Sequence, residues 1–316
     1  MPYYLGIDTS NYTTSAALYS EEHGMLQQRK LLPVKPGECG LRQSDAVFHH
    51  VQQLPQMMEQ LLDGFSGELA AIGVSSRPRD AEGSYMPCFT VGLGTARSLA
   101  AAMNLPLYTF SHQSGHIAAA IWSADCQELL GERFLAFHVS GGTTEAVLVQ
   151  PDRERIFRAE IAAKTLDLHA GQLIDRVGVM LGLDFPCGRE LEELAGRHQA
   201  PLPKVRATLK NHDCCLSGIE NSCRRYYESG ASREAVAALC LQYVEETLAS
   251  MCSGLLQQYG ELPVLFAGGV MSDQIIREQL SRRFNARFAL PEFSTDNAAG
   301  TAFLCYLKHT DRLGDH

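Results

Sequence analysis

No apolar run in this chain is long enough to span a bilayer, so a membrane-spanning role is not expected. The start, MPYYLGIDTS, carries no basic stretch followed by an apolar core, so it is not read as a secretory signal. Ten cysteines are present, but none forms a Cys-x-x-Cys pair, and Cys214 and Cys215 are simply adjacent. Scattered thiols in a chain of this size point to a reduced, cytoplasmic protein rather than one stapled by disulfides. His-Glu-x-x-His is missing too; Gln113 stands where the general base of a zinc protease would be. A formal charge of −9 does not suit a protein that coats nucleic acid unaided, although a local basic patch or a basic partner can supply that surface. What is abundant is core material. Of the 316 residues, 45% are hydrophobic, enough for one large domain or two halves.

Two segments resemble each other. Leu5 to Tyr19 reads LGIDTSNYTTSAALY, and Leu135 to Val149 reads LAFHVSGGTTEAVLV. Ser10 aligns with Ser140, Thr13 with Thr143, Thr14 with Thr144 and Ala16 with Ala146. Each has an apolar run, a polar turn and a second small or apolar run, which is the pattern of a β-hairpin. The turn residues suit tight backbone geometry and close approach to an anion. A duplication follows: two α/β halves, each opening with a hairpin whose turn faces a shared cleft. The first half is expected over 1–130 and the second over 131–316, with the C-terminal segment packing back on the first.

The rest of the pattern fits. Leu69 to Ser76 reads as a buried strand and Val91 to Met103 as a helix. Val264 to Phe266 is a short strand running into Gly268-Gly269 and a helical stretch from Ser272 to Arg283, an arrangement that recurs beside phosphates. Leu173, Ile174, Val177, Met180 and Leu181 form one apolar helical stripe, with Gly182 suited to its end and Pro186 beyond it. Asp175 falls opposite that stripe, on a solvated face or facing the cleft.

His112 and His116 lie four apart in FSHQSGHIAAA. On a helix their Cβ atoms would be about 5–6 Å apart, close enough for two imidazoles to reach one metal. The small residues Ser114, Gly115 and Ala118 to Ala120 would leave room for something bulky beside them. A third ligand must come from elsewhere; Asp296 is a candidate, although on the residues alone Thr295 or Asp296 reads first as the cap of the helix that follows.

The stretches GIDTS, HQSGH, VSGGTT, TLDLHAGQLIDRVGVMLGL, LSGIEN, AGGVMSD and STDNAAGTA occur in the order seen in the TsaD family, once described as glycoproteases, and the likeness covers nearly the whole chain. The resemblance implies an actin-like, sugar-kinase-like ATPase fold of two related α/β halves. It implies transfer of a threonylcarbamoyl group from its adenylate to the adenosine beside the anticodon of tRNA. Carried over, His112, His116 and Asp296 would hold one divalent metal, iron or zinc. His138, Val139, Ser140, Gly141 and Gly142 would line the phosphate and acyl region. Asp175 and Gly188 would contact the ribose or base, and Asp273 would lie against the nucleotide, ATP or threonylcarbamoyl-adenylate. Partner proteins of a threonylcarbamoylation complex are implied as well as tRNA.

The chain also departs from that pattern. Its first turn, Asn11-Tyr12-Thr13-Thr14, lacks the usual acidic pair. Thr143 replaces a histidine, Asp273 an asparagine, Cys187 a glycine, and Arg77 to Gly83 a Gly-Pro-Gly loop. An ionised Asp273 would repel a phosphate. These changes suit a divergent paralogue with a different acceptor or group transferred; a non-catalytic assembly partner is a further reading, opposed by the retained triad. Arg224, Arg225, Tyr226 and Tyr227 form a short basic-aromatic cluster that could meet RNA or be a solvated helix face. Cys187, Cys214 and Cys215 read as small buried hydrophobes rather than ligands.

Overall fold

The structure, a computed structural model, describes residues 2–33 and 41–312. The chain forms two compact units. One comprises Met1–Glu132, Gln150–Ala159 and Glu292–His316; the other comprises Arg133–Val149 and Glu160–Pro291.

The first unit is built on strands β1 (Pro2–Ser10), β2 (Thr13–Ser20), β3 (Gly24–Leu31), β4 (Glu68–Arg77) and β5 (Leu107–Ser111). Their order is β3-β2-β1-β4-β5. β1 pairs antiparallel with β2 and parallel with β4, and β4 is parallel to β5. Helices α1 (Gln43–Leu62) and α2 (Phe89–Met103) are interleaved with these strands, and α3 (His112–Ser123) follows β5 directly. Leu5, Ile7, Leu18, Ile72 and Val74 form a core with Leu54, Met58 and Leu61 of α1 and Ala96 and Ala100 of α2. A strand covered on both faces needs apolar residues at consecutive positions, which is why β1 does not alternate.

The second unit repeats the plan. β6 (Phe134–Val139), β7 (Thr144–Asp152) and β8 (Ile156–Lys164) are followed by α4 (Ala170–Met180) and α5 (Gly188–Ala195). A short hairpin, β9 (Leu209–Lys210) and β10 (Asp213–Cys214), leads into α6 (Ser217–Glu228) and the long α7 (Arg233–Tyr259). β11 (Val264–Ala267), α8 (Gln274–Arg283) and β12 (Ala286–Phe288) complete it. The sheet order is β12-β11-β6-β7-β8. β6 is antiparallel to β7 and parallel to β11, which is parallel to β12. The two hairpins of the sequence repeat therefore hold equivalent places in two sheets of the same order. The expected stripe on α4 is present: Leu173, Ile174, Val177 and Leu181 enter the core and Met180 packs at its edge.

The last helix, α9 (Ala299–Thr310), belongs to the first unit. Its approach is set by glycine. A Cβ at Gly6 would stand 2.6 Å from Ala298 O, and one at Gly300 would collide with Gly115 O and stand 2.6 Å from Ala119 N. Ala118, Ala119 and Ala120 are almost completely buried. The small residues of α3 thus make room for α9, not for a ligand beside the imidazoles. Among the described residues no helix is long and apolar enough to cross a membrane.

Candidate metal centre and anion cradle

The chain leaves β5 at Ser111 and enters α3 at His112 without a connecting loop. Ser111 caps the helix by accepting from Ser114 N at 3.1 Å. Asp80 fastens the preceding loop to the same point, accepting from the hydroxyls of Ser111 (3.1 Å) and Ser114 (2.9 Å) and pairing with Arg77. The loop that replaces Gly-Pro-Gly is thereby tied to the start of the helix that carries both histidines.

His112 and His116 project from one face of α3, with their Nε2 atoms 3.0 Å apart. Asp296 Oδ1 lies 3.2 Å from His116 Nε2 and 3.5 Å from His112 Nε2. One ligand atom from each residue therefore falls within 4.8 Å of the others. Asp296 is not the cap of α9. Asn297 holds that end, its Oδ1 accepting from Ala299 N at 3.0 Å while its amide donates to Phe293 O at 3.1 Å. Asn297 turns the chain, and Asp296 is left to meet the imidazoles.

A fourth residue, not singled out in the sequence, touches this group. Asp8 Oδ2 is 2.8 Å from His112 Nδ1, and Asp8 Oδ1 accepts from Ser10 N at 3.0 Å. Burial alone would depress the His112 imidazolium, but the Asp8 and Asp296 carboxylates outweigh it and push the group up to about 10. Burial opposes ionisation of Asp296 as well, yet the two imidazoles hold it well below the usual carboxylate range. Two imidazoles and a carboxylate converging on one point form a donor set suited to zinc or another first-row divalent ion. Charged in this way, the cluster would have to exchange protons for any ion it bound.

In the second unit, the turn after β6 is closed by Ser140. Its Oγ accepts from Gly142 N (3.2 Å) and Thr143 N (3.1 Å), and its backbone N–H donates to Thr143 O. Gly141 and Gly142 are exposed, and His138 and Val139 lead into the turn as the last residues of β6. The start of α4 rests on this turn: Gly171 N donates to Ser140 O at 3.1 Å, and a Cβ at Gly171 would lie 2.6 Å from Gly141 N. An exposed glycine turn against a helix N-terminus is chemically suited to an anion. Asp175 is half-buried rather than solvated; its Oδ1 accepts from Cys187 N at 2.8 Å. It thereby sits one residue from Gly188, which is exposed with open space where a Cβ would be. Burial raises the Asp175 carboxyl.

Asp273 is committed to its own helix, capping α8 by accepting from Ile276 N at 3.0 Å. Burial pushes it up to about 6, against the opposing pull of the Ile276 amide. The folded state therefore binds this proton more tightly than the unfolded chain. Its cost to stability is absent below about pH 4, grows through the window between the two values and is complete above pH 6. Asp273→Asn keeps a good cap and removes the charge. It is expected to stabilise the protein at pH 7 by about 3 kcal/mol, with the gain vanishing by pH 4, as read from denaturant midpoints across that range. The Arg224 side chain is engaged by Glu220 at 3.2 Å, and Glu220 also meets Arg176, so part of the basic-aromatic cluster on α6 is already neutralised. Cys187 and Cys214 are buried, with thiols raised by burial.

The model of the TsaD family, described as tRNA N6-adenosine threonylcarbamoyltransferase, matches residues 35–303. This chain belongs to the TsaD family. A protein of that description from Methanopyrus kandleri is 26% identical over 317 residues, spanning 98% of this chain and 88% of its own. Among solved structures, full-length HypF in its phosphate- and nucleotide-bound form gives a TM-score of 0.60 at 12% identity over 98% of this chain. The chain spans 46% of that HypF. A ROK family glucokinase from Streptomyces griseus, in complex with glucose and AMPPNP, gives a TM-score of 0.53 at 11% identity, over 96% of this chain and 98% of its own. Such identities speak for the fold alone, and the fold is the actin-like, sugar-kinase-like one. All three metal-site candidates, and every candidate of the second unit, lie within the stretch that the family model matches.

Proposed function

We propose that this TsaD-family chain transfers a threonylcarbamoyl group from its adenylate to N6 of the adenosine beside the anticodon of tRNA, using one divalent metal, zinc or iron. The observation that carries this reading is the meeting of His112, His116 and Asp296 in a chain matched by the family model. A metal held by these three residues would keep coordination positions open for substrate oxygens and supply Lewis acidity and orientation. In the transfer, the bond from adenosine N6 to the carbamoyl carbon forms and the carbon–oxygen bond to the AMP phosphate breaks. AMP leaves and N6 gives up a proton. The exposed turn at Ser140, Gly141 and Gly142 is suited to lie against the phosphate, with no side chain at Gly141 or Gly142 to hold it off, and Asp175 beside Gly188 is suited to ribose hydroxyls. With a net charge of −9, a partner protein is expected to supply much of the tRNA-binding surface.

Calorimetry with threonylcarbamoyl-adenylate on the zinc-loaded protein, followed by a tRNA modification assay with candidate partners, tests this. The adenylate is expected to bind, and His112→Ala to abolish that binding. Binding of ATP but not of the adenylate would favour a different transferred group. The missing turn carboxylates at Asn11 to Thr14 and the threonine at 143 are the features that support that second reading.

A further inference from the structure

We propose that Asp8 is a positioning residue for the metal centre, fixing the tautomer and ring plane of His112 so that Nε2 is the nitrogen presented beside His116 and Asp296. The inference rests on the metal reading above. Asp8 does not contribute one of the three converging atoms. It stands behind His112, with Oδ2 at 2.8 Å from Nδ1. An ionised carboxylate only accepts hydrogen bonds, so Nδ1 must carry the proton. Nε2 is then the nitrogen left to exchange its proton for an ion, and it faces His116 Nε2 at 3.0 Å and Asp296 Oδ1 at 3.5 Å.

Asp8 is itself held rigidly. It is 1% exposed, and its strand is paired on both sides, opposite Ser15 of β2 and beside β4. Its second oxygen is occupied by Ser10 N at 3.0 Å. Next to it, Ser75 Oγ and Thr301 Oγ1 are 3.1 Å apart, which joins β4 to α9. A carboxylate at the end of a central strand, buried without a cation of its own, is costly unless paired. Here its pairing partner is a candidate metal ligand. A carboxylate behind a ligating histidine raises its basicity and sets its orientation, and removing such a partner typically costs 10–100-fold in metal affinity.

The test is zinc calorimetry on the full chain and on Asp8→Asn, with ¹⁵N NMR of the zinc-loaded wild-type imidazoles. Asp8→Asn is expected to bind zinc about 10–100-fold more weakly. The wild-type spectrum is expected to show His112 protonated at Nδ1 with zinc on Nε2, a readout that a merely structural carboxylate would not fix and one that stands even if the variant fails to fold. Zinc on Nδ1 of His112, or equal affinity in the variant, would overturn the Asp8 assignment and leave the metal reading intact. Failure of the wild-type chain to bind zinc would overturn both.

Discussion

Gly300→Ala is expected to leave the first unit unable to fold, with little soluble protein recovered and no cooperative unfolding transition. The added methyl would overlap the carbonyl oxygen of Gly115 and come within 2.6 Å of Ala119 N. Both are backbone atoms of α3, so no rotamer change relieves the clash. Either α9 lifts away from α3 or the helices shift together. Overpacking alone costs about 1–3 kcal/mol, and losing the seating of a buried helix costs more, against a total stability of about 5–15 kcal/mol. Every residue of α9 from Ala299 to Leu307 is buried. Thermal unfolding followed by circular dichroism checks the outcome. Gly94→Ala is the control: its added methyl meets nothing within 4 Å, so stability is expected to hold.

Asp296→Ala is expected to remove zinc binding while leaving the fold in place. Losing one of three protein ligands is a heavier change than losing a hydrogen bond behind a ligand, so affinity should fall by more than about 100-fold. The fold should survive because Asn297, not Asp296, holds the start of α9. Asn297→Ala provides the contrast. It removes the buried bonds to Ala299 N and Phe293 O, at a cost of about 1 kcal/mol or more, and takes away no ligand. Calorimetric zinc titrations and unfolding midpoints on the two variants should separate cleanly: affinity lost without stability in the first, stability lost with some affinity kept in the second. Wild-type zinc affinity in Asp296→Ala would remove Asp296 from the centre.

The hairpin repeat was legible because its information is local. Serine, glycine and threonine at a turn between apolar runs encode the same backbone path at both places, and the sheets bear this out strand by strand. The helical stripe on α4 was legible for the same reason. The pairing of His112 with His116 followed from helical spacing alone. Asp296 did not: whether it capped a helix or met the histidines depended on which of two neighbouring side chains turned inward, and that is settled by the tertiary position of α9. Ala118 to Ala120 were misleading, since small residues leave space without saying for what. Asp8 was missed altogether. A single carboxylate inside GIDTS has no spacing partner to announce it, although an acidic residue embedded at the end of an apolar strand does call for a buried counterpart. Asp273 shows the opposite case. Its place after a glycine pair suggests a phosphate neighbour, while its short side chain finds the α8 amides first.

The first unit is not continuous in the chain. It is begun before Glu132 and completed only by the stretch from Glu292, while most of the second unit is the uninterrupted run Glu160–Pro291. On a ribosome, the second unit can therefore be finished while β1, α1, α2 and α3 still lack the helix that seats against them. Until α9 emerges, Gly6, Gly115 and the alanines of α3 present an uncovered apolar surface, and His112 and His116 wait without their third partner. Competence for metal would arrive only once Asp296 and α9 have been made, so that a chain terminated before them could carry both histidines and still have no centre.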